Sequence, residues 1–370
     1  MKVVVIRTNL RDGLNAIEAA AGENQALPIL RNALIEASEG KLKLATTNLE
    51  IGASYTVAGK VLEDGRATAP IATLLGIMNN IQSDRLNLES KGASVEITSD
   101  NYHATLQGMP AEDFPLIPKV KNQTEYVSVK SEILKESLAQ VVLATQTSDL
   151  RPELNSVLFD FSIDTLRFAA TDSFRLAEKV LAVTEIESTC EEGFRVLVPL
   201  KTVHEILRVL RGDELVKVFR DENQVLFKTN QFELISRLLE GNFPDYGAIV
   251  PKKFGAEILV ERQEFVNALK LASVFGNKSN EVKILVPPGK KALQVSSADQ
   301  AVGENSYLLP AKVEGKLGET VFNWRYLLDA LKAVKTGEVF FGVNDEGQPA
   351  LLRGAKEGSY FYILKPILKA

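Results

Sequence analysis

The chain has 370 residues, 45% apolar and 25% charged, with a net charge of −5, so it has material for two or three domains and a composition unlike that of a disordered chain. No stretch of about eighteen apolar residues occurs, and no helical membrane span is expected. The acidic balance excludes a protein that is basic all over, so any polyanion contact must come from locally gathered Lys and Arg.

The amino terminus, MKVVVIRTNL, has a short apolar run without a small-residue cleavage site and passes directly into a helix pattern, unlike a signal peptide. The single cysteine, Cys190, has no partner for an internal disulfide. A cytoplasmic location is the expectation.

Three segments then open alike: MKVVVIRTNLRDGLNAIEAA, TEYVSVKSEILKESLAQVVLA and AEILVERQEFVNALKLASVF. Each predicts a short strand, a polar cap region and a helix. The helices place apolar residues at i, i+4 and i+7: Leu10, Leu14, Ile17; Leu134, Leu138, Val141; Phe265, Leu269, Ala272. Such a stripe must be buried. A second helix follows in each copy at Leu74, Met78, Ile81, at Val203, Leu207, Leu210 and at Leu327, Leu331, Val334. Two independent helix signals thus repeat at nearly one spacing, the signature of internal duplication.

Alternating or β-branched runs lie between and after the helices: KLKLATT, LRFAAT and ALQVSS, then SVEITS, QVLFKT and SYFYIL. They predict antiparallel strands. Polar turns follow the first set, TNLEIGA, TDSFRLA and SADQAVG. The first two copies end on Phe-Pro, Phe114-Pro115 and Phe243-Pro244, before lysine-bearing connectors. The expected organisation is α+β: tandem domains 1–122, 123–253 and 254–370, each with two helices covering antiparallel sheet.

Catalytic signatures are absent. His103 and His204 are the only histidines, and no CxxC, HExxH, GxxxxGK[ST] or GxGxxG after a strand occurs. Cys190 with His204 as base is formally available, but His204 beside Val203 reads as a partly buried helical residue. No cofactor, metal or enzymatic activity is expected.

The second helices of copies two and three carry cations at matched places: Lys201, Arg208, Arg211 and Arg325, Lys332, Lys335. At about 100° per residue they fall in an arc of roughly 80° directed away from the apolar stripe. Two readings are open: solvated helix surface with Glu205–Arg208 and Asp329–Lys332 pairs, or an outward face offered to a polyanion. In copy one Ala72, Asn79 and Gln82 stand where the cations would be, leaving Arg7 and Arg11. Without interleaved aromatics, sequence-independent phosphate contact is the form such binding would take.

At this point the chain resembles the bacterial DNA polymerase III beta subunit family, the sliding clamps, along essentially its whole length. The likeness rests on ALPILRNALIEA at 26–37, TTNLE at 46–50, MPAEDFP at 109–115, LNSVLF at 154–159, ATDSFRLA at 170–177, VPLKTVHEIL at 198–207 and GNFPDY at 241–246. It implies three DNA-clamp domains per subunit, a head-to-tail homodimeric ring around duplex DNA, loading by an ATP-dependent clamp loader, and tethering of the replicative polymerase. It also implies a partner-peptide pocket formed by Leu154, Thr171, Ser173, Phe174, Arg175, Leu176, Pro244 and Ile249 with Ile363, Leu364, Pro366 and Ile367. Arg151, in the loop TSDLRPE, becomes a DNA contact, and the dimer contact joins YHATLQG, with Leu106, to SVFGNK, with Val274. Departures from the family pattern are Asn24, Phe174, Ala248 and the KPIL tail. Read without the family, TDSFRLA is a strand connector with Asp172 and Arg175 paired locally.

Overall fold

A computed structural model of the protein describes residues 1–147, 151–276, 279–289, 291–344 and 347–368. Six helices are described: α1 Arg7–Ile17, α2 Ile71–Asn80, α3 Ser131–Val142, α4 Leu200–Val209, α5 Arg262–Val274 and α6 Trp324–Ala333. Each first helix follows a short strand (Lys2–Ile6, Val127–Lys130, Ala256–Glu261), as the repeats predict. The stripes of α1, α3 and α5 are fully buried. In α4 the buried line runs through Thr202, Val203 and Ile206, whereas Leu207 is half-buried, a correction by one residue to the expected stripe. The 3.6-residue period favours i+3 there over i+4.

The chain divides into two compact units, because strands of the middle copy pair sideways with strands of both neighbours. One unit comprises Met1–Leu134, Ile186–Glu191 and Lys201–Leu238. It contains a five-stranded sheet, in the order Gly59–Glu63, Lys2–Ile6, Arg85–Lys91, Ser94–Thr98, His103–Gln107. Its second, nine-stranded sheet becomes continuous where Phe232–Arg237 pairs antiparallel with Ile51–Val57, Ser236 opposite Ile51 and Ile235 opposite Gly52. Glu233 stitches this junction, with Lys228 at 2.8 Å and Lys43 at 3.2 Å. α1 packs on α2 in this unit.

The other unit comprises Lys135–Glu185, Glu192–Leu200 and Leu239–Ala370. Its twelve-stranded sheet is continuous through the pairing of Arg175–Ala182 with Tyr360–Leu364, Arg175 opposite Leu364 and Leu176 opposite Ile363. α5 packs on α6. The Phe341 ring meets those of Phe265 and Phe322, each pair with centroids 5.8 Å apart.

Candidate functional site

The turn after Thr171 is built by its own side chains. Asp172 Oδ1 accepts the amides of Phe174 and Arg175, both at 2.9 Å; Thr171 Oγ1 accepts from Ser173 N and donates to the Arg175 carbonyl at 2.7 Å. The turn after Thr47 repeats this pattern, with Asn48 Oδ1 taking the amides of Glu50 and Ile51 and Thr47 Oγ1 reaching the Ile51 carbonyl. Ser173 and Leu49 share a left-handed φ of 76°, uncommon for residues with a Cβ. In the third copy Asp299 Oδ1 does the same for Ala301 and Val302. Short Asx side chains capping the next amides explain why so polar a turn recurs.

Arg175 locks the second of these turns. Its Nε donates to Asp172 Oδ2 at 2.8 Å, its Nη1 to Asp329 Oδ2 on α6 at 2.9 Å, and the guanidinium lies 4.2 Å above the Tyr326 ring. Burial opposes the charge, but Tyr362 and Asp172 outweigh it and hold the guanidinium protonated above its usual range. The local Asp172–Arg175 pair expected from sequence is therefore present. The Asp329–Lys332 pair of the solvated-surface reading is not found among the described residues, where Asp329 is held by Arg175.

Beside this turn lies a groove of about 230 Å³ lined by Thr171, Ser173, Phe174, Arg175, Leu176, Pro244, Ile249 and Ile363 among the expected residues. Leu176 and Ile363 form a buried floor, while Phe174 and Ile249 stand 59% and 44% exposed at its rim. Four expected residues do not line it. Leu154 and Leu364 are buried in the core, and at the tail Pro366 and Ile367 are half-buried, with Ile367 N donating to the Val321 carbonyl at 2.7 Å. Lys369 and Ala370 lie outside the described residues.

The groove also takes in residues that the sequence did not nominate for it: Asp245, Tyr246, Pro349 and Lys365. Tyr246 donates to Glu178 Oε2, and burial together with that carboxylate pushes its hydroxyl pKa well up. Arg151, expected at DNA, lines this groove, bonded to Ser173 Oγ at 3.0 Å and to Glu153 at 2.9 Å; Ser148–Leu150 before it lie outside the described residues.

The corresponding place at the other junction is filled. Gly52 occupies the position of Leu176 and Ile117 lies over it, so close that a Cβ on Gly52 would come 2.7 Å from Ile117 Cγ2. A larger cleft of about 700 Å³ borders this region, but Lys43, Lys228 and Arg66 in its lining are already paired with Glu233 and Glu36.

The six matched cations are all exposed. On α4, Arg208 pairs with Glu205 at 2.9 Å and donates to the Asn15 and Ala16 carbonyls at the end of α1, and on α6, Lys335 pairs with Glu136 at 2.6 Å. Lys201, Arg211, Arg325 and Lys332 make no ion pair among the described residues. His204 is exposed on the same side of α4, correcting the expectation of partial burial: it stands one helical turn from Lys201 and Arg208, not on the apolar stripe. In copy one Arg7 is spent on the Met78 carbonyl and Arg11 on Asp12. At the edge strand His103–Gln107 the side chain of Leu106 turns inward and is buried, because the strand alternates; Val274 at the end of α5 is 65% exposed. Asn277 and Lys278 of SVFGNK lie outside the described residues.

Family models of the DNA polymerase III beta subunit match end to end: the N-terminal domain at residues 1–118, the central domain at 128–245 and the C-terminal domain at 248–367. The chain belongs to the DNA polymerase III beta subunit family. A beta subunit of this family is a sliding clamp, a non-catalytic processivity factor that tethers the DNA polymerase to DNA. The chain is similar to the beta sliding clamp of Synechococcus elongatus, 28% identical over 374 residues and 99% of each chain, and to that of Staphylococcus aureus, 29% identical over 97% of this chain and 96% of the other. Among solved structures, the beta subunit from Thermotoga maritima matches with a TM-score of 0.91 at 26% identity over 100% of both chains. The sliding clamp from Bartonella birtlesii, solved bound to griselimycin, matches at 0.92 and 26%, again over 100% of both. For this clamp chain no helix among the described residues is long and apolar enough to cross a membrane.

Proposed function

We propose that two copies of the clamp chain close head to tail around duplex DNA, with α4 and α6 turned toward the phosphates, and that the groove beside Arg175 captures short apolar peptide segments of replication partners. The observation that carries this reading is the set Lys201, Arg211, Arg325 and Lys332, exposed and making no ion pair among the described residues, on the two helices of an acidic chain that carry matched cations. Exposed cations hold phosphates through screened, sequence-independent contacts, which permits sliding while enclosure prevents escape.

The preformed apolar floor of Leu176 and Ile363 supports peptide capture, since a few buried anchors carry most of such binding energy. The edge strand His103–Gln107 offers unpaired backbone for a subunit contact with the region of Val274. An ATP-dependent loader would open the ring, and the protein would work in the cytoplasm. Domains 1–122, 123–253 and 254–370 fit this scheme: the first division falls between matched family segments, the second a few residues inside the third.

The test is retention after loading on circular and on linearised DNA. The clamp should stay on circles and run off free ends. Equal escape from both would overturn enclosure and leave a peptide-binding scaffold.

A further inference from the structure

The peptide groove is charged in a way that its apolar floor does not explain. Lys365 lines it and makes no ion pair among the described residues, its backbone amide being held by the Phe174 carbonyl at 2.8 Å. Across Ile249 and Pro349, which border both, the groove continues into a second trough of about 550 Å³ lined by Gly247–Lys253, Asn344, Gln348 and Pro349. Lys252 and Lys253 on this trough likewise make no ion pair among the described residues, and both are exposed. Against these cations the described lining offers one carboxylate, Asp245, whose Oδ1 already accepts the Gly247 amide. In a chain with net charge −5, these lysines, making no ion pair among the described residues, gather along one apolar groove and leave a positive local field that suits a bound anion.

We infer that the groove selects acidic peptides: segments that seat an apolar anchor on Leu176 and Ile363 while placing carboxylates beside Lys365 and, further along, Lys252 and Lys253. This rests on the peptide-capture reading above and names the partner chemistry it leaves open. Charge of this kind acts mainly on the encounter rate and on discrimination between partners, because exposed pairs are individually weak. It also makes Lys365 a specificity residue, where an apolar side chain would leave the groove indifferent to charge.

The measurement is fluorescence polarisation of the full-length protein with short labelled peptides that share one Leu-Phe anchor and carry flanking aspartates, asparagines or lysines. The aspartate form should bind about tenfold more tightly than the asparagine form at low salt, with the lysine form weakest, and the spread should shrink as ionic strength is raised. In Lys365→Gln the aspartate-to-asparagine ratio should fall to about threefold, and adding Lys252→Gln and Lys253→Gln should bring it close to one. Comparable binding of the aspartate and asparagine forms would overturn the inference while leaving peptide capture intact. Failure of all three peptides to bind would overturn peptide capture itself.

Discussion

Replacing Arg175 with methionine should be among the most damaging single changes at the groove. The methionine keeps much of the length and packing but removes the guanidinium that bonds Asp172 and Asp329 and stacks on Tyr326. Asp172 is only 4% exposed, and stripping one partner from a buried ion pair costs about 3–5 kcal/mol. The lower end applies, because Asp172 Oδ1 keeps its two amide donors at 2.9 Å. Asp329 is 30% exposed and adds less than about 1 kcal/mol, and the stacking on Tyr326 contributes about 0.5–1 kcal/mol. A total of about 4 kcal/mol lowers the unfolding midpoint of a unit of about 150–250 residues by roughly 8–16 °C. Differential scanning calorimetry of Arg175→Met, Asp329→Asn and the double variant reads this directly. The single Asp329→Asn change should cost no more than about a quarter as much as Arg175→Met, and Arg175→Lys should fall between them, since an ammonium lacks the fork that spans both carboxylates. A shift under about 3 °C for Arg175→Met would refute the assignment of Arg175 as the lock of this turn.

Neutralising Lys201, Arg211, Arg325 or Lys332 to Gln should each lower the slope of log K against log salt for duplex DNA by up to about 0.9, whereas Arg208→Gln and Lys335→Gln should change it less, because those two are already paired; equal slopes across all six would count against the distinction. Gly52→Leu forces a side chain against Ile117 and Ile235 and should destabilise by about 1–3 kcal/mol, seen as a lower denaturant midpoint at unchanged slope. Glu233 is partly buried; burial alone would raise its pKa, but Lys228 and Lys43 outweigh that and hold it below the ordinary 4.5. A depressed folded-state value means that its contribution is present above the unfolded value and is lost as pH falls through the folded one. The midpoint gap between the natural chain and Glu233→Gln should therefore be widest near neutrality and narrow on acidification once the pH is below 4.5; a gap that does not narrow on acidification would contradict the pairing.

What the sequence made legible was periodic or local. The stripes of α1, α3 and α5 and the repeated turns follow from spacing and from Asx chemistry, so they could be placed from residue order alone. Long-range partnerships were not legible. In one of the two readings open from sequence Asp329 meets Lys332 one turn away, but the tertiary fold brings it Arg175 from 154 residues earlier. Pro349 joins the groove from a segment not nominated for it, while Tyr246 and Lys365 join from between residues that were. Two misplacements had readable signals: the alternation in HATLQ turns Leu106 inward, and an i, i+3, i+7 line through Val203, Ile206 and Leu210 fits α4 better than the line drawn through Leu207.

Duplication conserved backbone and left function to a few side chains. The turns after Thr47 and Thr171 have the same hydrogen bonds and the same left-handed residue, yet Ile51 and Gly52 in one stand where Arg175 and Leu176 stand in the other. With glycine at the sheet position the chain's own Ile117 fills the space, whereas with leucine there an apolar floor remains for a visitor. Arg175 then ties the groove's turn to Asp329 on α6, the helix that also carries Arg325 and Lys332, which make no ion pair among the described residues. The first copy lacks that arginine in its turn and lacks the matched cations on α2 as well. One copy of the duplicated unit thus keeps the architecture alone, and the charge and the open groove are gathered in its sisters, as expected when sites are grafted onto a fold that does not itself specify them.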